Sequence, residues 1–374
     1  MLKGNKGEWS EIYTFFKLLA DRKLYGADGE LNKKSDIFYD ILEIIRNEQI
    51  GTLHFVFDDN VGTVNIKNDN NGETKISVDT ETFKTQAEFL YGKIINTKST
   101  SAFEVIETSE FMEAILCNRL KAPSADKSDI TIKVHDFNTG LNPTLGFSIK
   151  SRLGRPSTLL NPGVNTNFVF EIHGDMTDEQ MNYVNHMFSE TTKKEITEEK
   201  IPVAARIAQL QKNNLSLSYV KMKSSTFQNN LILIDSALPN IVGQTMLEYY
   251  LNGTNNILEA VNAVSAKNPL DYDLSQGHKY YHYKFKKLLT ESALGMLPGK
   301  VWSGHADANG GYIIVREDGE VLCYHLYNRN DLEDYLLNNT RFDRGGAGRH
   351  KYAIVEKIDN KYYISLNLQI RFIK

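Results

Sequence analysis

Residues 130–151 constrain the fold most, because they predict two strands folded back on each other. Apolar residues alternate with polar ones on both sides of a central turn, at Ile130, Ile132 and Val134 and again at Leu145, Phe147 and Ile149. Such period-two alternation is typical of half-buried strands. Residues 138–143 between them are rich in Asn, Gly and Pro, which are common in turns. The segment therefore predicts a β-hairpin.

This hairpin would bring three functional groups together if its bend is centred on Asn142. Asp136 then lies opposite Ser148, and Lys150 projects from the same face as Ser148, since side chains two residues apart share a face. Such a carboxylate can hold a divalent metal while the lysine orients or deprotonates a water, as phosphodiester hydrolysis requires. The spacing of Asp136, Ser148 and Lys150 occurs by chance in many proteins. Taken alone, it favours an ordinary hairpin with a solvated lysine.

Three further blocks of sequence favour the catalytic interpretation. They are GNKGEWSEIYTFFKLLADRKLYGADGELN (4–32), GFSIKSRLGRPSTLLNPGVNTNFVF (146–170), and GGYIIVREDGEVLCYHLYNRNDLEDYLLNNTRF (310–342) with the later SLNLQIRF (365–372). Together they resemble the HpaII family of type II restriction endonucleases. The resemblance implies a PD-(D/E)XK nuclease core and Mg²⁺-dependent cleavage of double-stranded DNA at a short palindrome, CCGG for the name-giving member. It also implies a cognate DNA methyltransferase that protects host DNA, and a two-fold symmetric target favours a homodimer.

The chain departs from the general nuclease pattern at Ser148, where that pattern has Asp or Glu before x-Lys. Another carboxylate must then complete the metal site. Glu8 and Glu11 lie one turn apart on a helix predicted over residues 8–20, and both are candidate metal ligands. For Glu8, capping of the helix N-terminus is the stronger interpretation. The acid missing at Ser148 favours Glu11 as a ligand, with Glu171 as the alternative.

Composition limits the class of protein. A chain of 374 residues with 41% hydrophobic residues can form one elaborated domain or two. It has no apolar run approaching 18 residues and no signal-peptide pattern at its start, so we expect a cytoplasmic protein. Cys117 and Cys323 lie far apart, which fits a reducing compartment and gives no zinc spacing. The formal net charge of −4 argues against indiscriminate coating of nucleic acid.

Positive charge is nevertheless concentrated in three segments that we expect to contact DNA. Arg152 and Arg155 lie in a loop that should run close to the scissile phosphate. Lys284, Lys286 and Lys287 lie on a helix predicted within residues 277–297 and are expected to contact phosphates. The glycine-rich segment 341–351 is expected to read guanine in the major groove, through Arg341, Arg344, Arg349 and His350. Solvated surface charges are the alternative interpretation in each case.

The remaining pattern predicts an α/β protein with a mixed-sheet core, flanking helices, an N-terminal β-rich insertion and C-terminal β-hairpins. A second helix is predicted over residues 35–47, and a buried strand beside the catalytic hairpin over residues 167–172. The chain divides into a first core helix (1–21), an inserted α/β subdomain (22–125), the nuclease core (126–240) and a helical and β-hairpin DNA-recognition region (241–374).

The sequence thus predicts a type II restriction endonuclease that acts through Asp136, Ser148, Lys150 and Glu11, with Mg²⁺ held by Asp136, Glu11 and Glu8. Two alternatives stay open. A non-catalytic DNA-binding module would keep the basic segments without needing Asp136 and Lys150 on one hairpin. A repair nuclease acting on branched or damaged DNA would share the chemistry and differ in its substrate.

Overall fold

The computed structural model describes residues 2–58, 60–69, 74–99, 101–122, 128–137, 139–193, 196–306 and 308–373. Its strands are β1 (Lys3–Gly4), β2 (Lys23–Ala27), β3 (Lys33–Glu48), β4 (Gly51–Asp58), β5 (Thr63–Asn68), β6 (Thr74–Asp79), β7 (Phe103–Glu104), β8 (Ile130–His135), β9 (Thr144–Ser151), β10 (Thr158–Leu160), β11 (Asn167–His173), β12 (Ser189–Lys193), β13 (Ile196–Lys200), β14 (Ser216–Met222), β15 (Gly311–Val315), β16 (Val321–His325), β17 (Thr340–Phe342), β18 (Val355–Ile358), β19 (Lys361–Asn367) and β20 (Ile370–Phe372).

Helices connect and cover these strands. They are α1 (Lys6–Asp21), α2 (Thr80–Asn96), α3 (Ile106–Ala114), α4 (Asp178–Asn185), α5 (Val203–Lys212), α6 (Ser225–Ile234), α7 (Leu238–Asn252), α8 (Ile257–Lys267), α9 (Tyr280–Ala293), α10 (Arg329–Asn338) and α11 (Ala347–His350), with short 3₁₀ turns at Val164–Thr166 and Leu326–Asn328. Within the described part of the chain, no helix combines the length and the apolar character needed to cross a membrane.

The chain forms two compact units. The first contains Met1–Ser157 and Ala306–Tyr335, and the second contains Thr158–His305 and Leu336–Ile373. The first unit is built on a nine-stranded sheet in the order β2-β16-β15-β9-β8-β3-β4-β5-β6, in which β2 also pairs with β3. This extra pairing joins six of the strands into a closed ring. Because β15 runs parallel to β9 while β8 and β3 run antiparallel to their neighbours, the sheet is mixed, and the predicted α/β class is confirmed.

Helix α1 packs on this sheet and supplies much of the core. Its buried face includes Trp9, Ile12, Phe15, Phe16 and Leu19, all fully shielded from solvent. The apolar spacing predicted this helix, and its capping box at Asn5 and Glu8 fixes where it begins. Burial of such side chains stabilises a fold by roughly 1.5–3 kcal/mol each. The helix position is therefore firmly set relative to the strands beneath it.

The helix predicted over residues 35–47 is wrong. This segment is the long strand β3, which pairs with β2, β4 and β8. The spacing of Ile37, Ile41, Ile44 and Ile45 also fits a helical stripe, but isoleucine is β-branched and favours a pleated surface. Ile41 and Ile44 are buried against the neighbouring strands. Pairing along both edges decides the structure of a segment whose pattern is ambiguous.

The hairpin β8–β9 forms as predicted, but its register differs from the expectation. Ile130 pairs with Phe147 and Lys133 with Thr144, and the last contact before the turn is a bridge between Asp136 and Leu141. Continuing the ladder by one residue places Asp129, rather than Asp136, at the level of Ser148. The expectation that Asp136 faces Ser148 is therefore wrong, because the register of this ladder places Leu141 opposite Asp136.

The second unit contains a four-stranded sheet, β14-β11-β19-β18, and a three-stranded sheet, β10-β20-β17. The strand predicted over residues 167–172 is β11, but its hydrogen-bonded neighbours are β14 and β19 and not the hairpin β8–β9. Helices α4 to α9 and α11 also belong to this unit, and the helix predicted within residues 277–297 is α9. The C-terminal hairpin β18–β19 is also confirmed, with Asp359 and Asn360 at positive φ in its turn.

Candidate active site

The first unit contains a cleft of about 710 Å³ between the start of α1, the segment after α2 and the end of β9. Glu11 from α1 and Lys150 from β9 both line it. The two elements are joined directly, because the hydroxyl of Ser151 donates to the hydroxyl of buried Ser10 at 2.8 Å. The glutamate and the lysine that the sequence singled out therefore lie in one cleft.

Asp129 is the carboxylate that the hairpin register places beside this cleft. Its Oδ2 accepts a hydrogen bond from the backbone N–H of Ile149 at 2.7 Å and another from the hydroxyl of Ser148 at 3.1 Å. Hydrogen bonds to an ionised carboxylate stabilise its charged form and fix its orientation. The carboxylate thus lies at the strand that carries Lys150, and its field reaches Glu11, whose pKa it raises.

Glu11 is the most perturbed acid of the cleft. Its pKa is raised to about 8, first by burial and then by the negative charge of Asp129, while the positive charges of Lys150 and Arg46 oppose the shift. Its Oε2 is buried and has no hydrogen-bond partner among the described residues. An unpaired, buried carboxyl oxygen is costly unless something binds it. The carboxyl group of Glu11 can bind a cation, and it must release its proton when it does so.

Carboxylate oxygens are the side-chain ligands that this site could offer to Mg²⁺. Among the described residues, no group of three or more His, Cys, Asp or Glu side chains comes together. Glu11 and Asp129 supply two carboxylates, and Mg²⁺ in phosphoryl-transfer sites is commonly held by one or two carboxylates, with water and substrate phosphate completing its shell. The unpartnered Oε2 of Glu11 is the specific feature that fits such an ion. The residues present therefore fit the metal.

Glu8 is engaged elsewhere. Its Oε2 accepts from the backbone N–H of Asn5 at 2.9 Å, as the second half of the capping box, and its Oε1 accepts from Lys121 at 3.1 Å. Both oxygens are thus used at the start of α1. The capping interpretation of Glu8 accounts for these contacts without a metal.

Asp136 lies in a buried polar group at the far end of the hairpin. It is 1% exposed and accepts a hydrogen bond from the Thr139 hydroxyl at 2.8 Å. Its charge raises the pKa of Tyr327 and opposes the effect of burial on His325, whose pKa falls to about 4. The six residues of β8 separate it from Asp129, a span of roughly 20 Å. The structure does not bring Asp136 to Ser148 and Lys150.

The two arginines after the hairpin have different surroundings. Arg155 is exposed and lines the cleft with Lys150. Arg152 is half-buried, and its guanidinium lies 5.7 Å from the ring centre of Tyr335. Burial raises the pKa of Tyr335, and Arg152 opposes that shift. The structure brings Arg155 to the cleft and directs Arg152 towards an aromatic side chain of the same unit.

The predicted DNA-contacting residues of the second unit fall on two surfaces. Lys284 is paired with Asp235, and Lys287 lies 4.8 Å from the ring of Tyr283. Both lysines line a cavity of about 360 Å³. They are held by neighbours of their own unit.

Segment 341–351 consists of the end of strand β17, a glycine-rich turn and the short helix α11. Arg341 lies 4.0 Å from Asp343, and Arg344 donates to the Tyr249 hydroxyl at 3.0 Å while stacking over the same ring. Arg349 is exposed at the edge of a cavity of about 650 Å³, and it lowers the pKa of the half-buried His350 beyond the effect of burial. Arg349 is the arginine of this segment most open to a partner.

Sequence reasoning missed Asp129, Lys6 and Lys98. Asp129 comes directly before the first alternating strand, and pairing the strands from Lys133 and Thr144 outward would have found it. Lys6 and Lys98 line the cleft from segments with no motif. Only long-range pairing brings them there.

The chain was compared with known proteins. Residues 5–372 match the family model described as HpaII restriction endonuclease. The chain is 41% identical over 370 residues to a protein of Haemophilus parainfluenzae named type II restriction enzyme HpaII, and the match covers 99% of this chain and 98% of that protein. No solved structure matches the chain.

Proposed function

Since this chain belongs to the HpaII restriction endonuclease family, we propose that it cleaves double-stranded DNA at a short palindrome with Asp129, Glu11 and Lys150 as its active-site residues and Mg²⁺ as its cofactor. The activity of a type II restriction endonuclease follows from the family. Its metal, its recognition sequence and its active-site residues are our proposal. The CCGG target expected from the sequence is part of that proposal.

One observation carries the residue assignment. The carboxylate of Asp129 accepts hydrogen bonds from the hydroxyl of Ser148 and the N–H of Ile149, the two residues that precede Lys150. Its charge adds to the burial that raises the pKa of Glu11. Two carboxylates and a lysine are the groups that metal-assisted phosphodiester hydrolysis uses. Ser148 supports the site by holding Asp129 and does not need to bind a metal itself.

The chemistry follows from these positions. Mg²⁺, when bound by Glu11 and Asp129, would neutralise charge on the phosphate and acidify water. Lys150 orients the attacking water and donates to the phosphate oxygen on which charge develops. Hydrolysis forms a bond from phosphorus to the water oxygen and breaks the bond to the leaving sugar oxygen, which takes up a proton. The neutral form of Glu11 must lose its proton before it can hold a cation.

Recognition is assigned to the second unit. Arg349, with Arg341, Arg344 and His350 in the same segment, is proposed to read bases, while Lys284 and Lys287 contact phosphates. The support is the exposure of Arg349 beside a cavity, since bidentate contacts from arginine to guanine need an accessible guanidinium. A palindromic target favours a homodimer, and a cognate methyltransferase would protect host DNA.

Digestion of a supercoiled plasmid tests the proposal. Purified protein with Mg²⁺ should give discrete linear fragments from intact duplex, and EDTA should prevent cleavage. Fragments mapped to CCGG would support that target. Smearing, cleavage restricted to branched or damaged DNA, or the absence of any metal-dependent cleavage would contradict the proposal.

A further inference from the structure

The cleft holds more positive charge than its catalytic groups require. Four of its lining residues are basic, namely Lys6, Lys98, Lys150 and Arg155, and one is acidic, Glu11. The cleft is therefore strongly positive in a chain whose formal net charge is −4. Focused charge of this kind attracts a polyanion.

These four cations keep their charge without an ion-pair partner among the described residues, although Lys150 lies 5.6 Å from the ring centre of Tyr312. Elsewhere in the same unit, lysines that lie near acids do pair, as Lys17 does with Asp21 at 2.8 Å and Lys93 with Glu107 at 3.2 Å. Mutual repulsion of clustered cations is unfavourable unless a ligand neutralises it. The lack of ion-pair partners among the described residues points to an anionic ligand.

Long-range contacts fix the position of the two lysines that no motif explains. Strand β7 pairs with β1, with Phe103 opposite Gly4, and the Trp9 indole donates to the Phe103 carbonyl at 3.0 Å. These contacts bring the segment that carries Lys98 against the start of α1, where Lys6 is the first helical residue. A Cβ built on Gly154 would lie 3.2 Å from the Cβ of Lys6, so the loop that carries Arg155 also passes close to this lysine.

We propose that Lys6 and Lys98 bind the DNA phosphates that flank the scissile phosphate, and so position the strand over Glu11 and Lys150. This proposal rests on the proposed nuclease function. Lysine binds phosphate as a point charge and does not read bases. The two residues should therefore add affinity equally at every sequence and contribute to positioning rather than to the bond-breaking step.

The test uses duplex DNA and the full chain with the variants Lys6→Gln, Lys98→Gln and both together. Binding is measured without divalent metal over a range of salt concentrations. Each single change should reduce the slope of log K against log salt by about 1, and the double change by about 2. With Mg²⁺, the DNA concentration for half-maximal rate should rise, while the single-turnover rate at saturating DNA changes far less. Lys6→Arg and Lys98→Arg should restore the slope.

Lys75→Gln is the matched control, since Lys75 is an exposed lysine of the same unit that does not line the cleft and has no ion-pair partner among the described residues. It should leave the slope as in the parent protein. A slope unchanged in the double variant, or a loss equal to that of the control, would overturn the phosphate assignment even if plasmid cleavage is normal. Failure of the parent protein to cleave DNA would instead contradict the proposed function.

Discussion

The carboxylate of Asp129 accepts a hydrogen bond from the Ser148 hydroxyl at 3.1 Å across the two strands of one hairpin. In the proposed active site, Ser148 stands where the nuclease pattern expected from the sequence has an acid, and a serine there cannot offer a negative charge. It can, however, hold the carboxylate opposite it. The neighbouring N–H of Ile149 donates to the same oxygen at 2.7 Å, so the acid is fixed from two sides.

Replacement of Asp129 distinguishes the proposed active site from the one that the sequence predicts at Asp136. Asp129→Asn should lower the cleavage rate by more than about a hundredfold, because a metal ligand contributes several kcal/mol to charge stabilisation. Asp136→Asn should leave the chemical step intact and lower the melting temperature, because Asp136 is buried and bonded to Thr139. Single-turnover cleavage and thermal unfolding measure the two effects. A cleavage loss in Asp136→Asn without a loss of stability would return the active site to that residue.

Glu11→Gln should stabilise the metal-free protein at alkaline pH. Burial raises the pKa of Glu11 from 4.5 to about 8, so the unfolded chain loses this proton at lower pH than the folded chain does. The folded state consequently binds more protons between these values, and stability falls as pH rises, by about 1.4 kcal/mol per pH unit from this group. The free energy of unfolding of the glutamine variant should not show this decline with pH. It should equal that of the parent protein near pH 4.5. Urea unfolding in EDTA at several pH values tests this.

Glu8→Gln is the control for that measurement. Glu8 closes the capping box and pairs with Lys121, so its replacement should lower stability. If Glu11→Gln is also less stable than the parent at pH 8, the carboxyl of Glu11 is not desolvated as described.

The same raised pKa predicts how cleavage depends on pH when Mg²⁺ is limiting. Glu11 must release its proton before it binds the ion, so the apparent metal affinity should increase up to pH of about 8 and level off above it. Saturating Mg²⁺ should move the rising limb of the rate profile to lower pH. Titrations of cleavage rate with Mg²⁺ at successive pH values check this. Between pH 6 and 8, about two units below the pKa of Glu11, the apparent Mg²⁺ affinity should change with pH. An apparent Mg²⁺ affinity that stays constant over this range would count against Glu11 as a ligand.

Arg349→Ala and Lys287→Ala should affect DNA binding differently. Loss of a bidentate contact to guanine costs about 1–3 kcal/mol at the cognate site and little at a site with one base pair changed. Loss of a phosphate contact weakens both sites alike and reduces the salt slope by about 1. Competition binding with cognate and altered duplexes distinguishes these outcomes. Equal losses at both sites in Arg349→Ala would mean that segment 341–351 contacts only the backbone.

Arg344→Ala needs a different interpretation. Its guanidinium stacks on Tyr249 and donates to the hydroxyl of that residue at 3.0 Å. Its removal should disturb packing in the second unit as well as any DNA contact, so a fall in melting temperature is expected with it. Arg349 is therefore the cleaner probe of base reading.

The sequence by itself determined the local elements and their chemistry. Alternation predicted the hairpin β8–β9, and apolar spacing predicted α1. Glu11 of that helix was identified as a candidate ligand because Ser148 carries no negative charge. The family resemblance rested on residues that can be read directly from the chain. The helix prediction was confirmed where the spacing of apolar residues and the helix propensity of the segment agreed, as in α1 and α9. Residues 35–47 fit a helical period equally well, and there the prediction failed.

Tertiary structure decided what depends on pairing. The register of the hairpin replaced Asp136 by Asp129, because a shift in the turn moves every cross-strand partner while leaving the alternation unchanged. The pairing of β1 with β7 brought Lys98 to Lys6, although more than ninety residues separate them in sequence. The period of a strand specifies which face a side chain occupies. Only the hydrogen-bonded ladder between strands specifies which side chain it meets there.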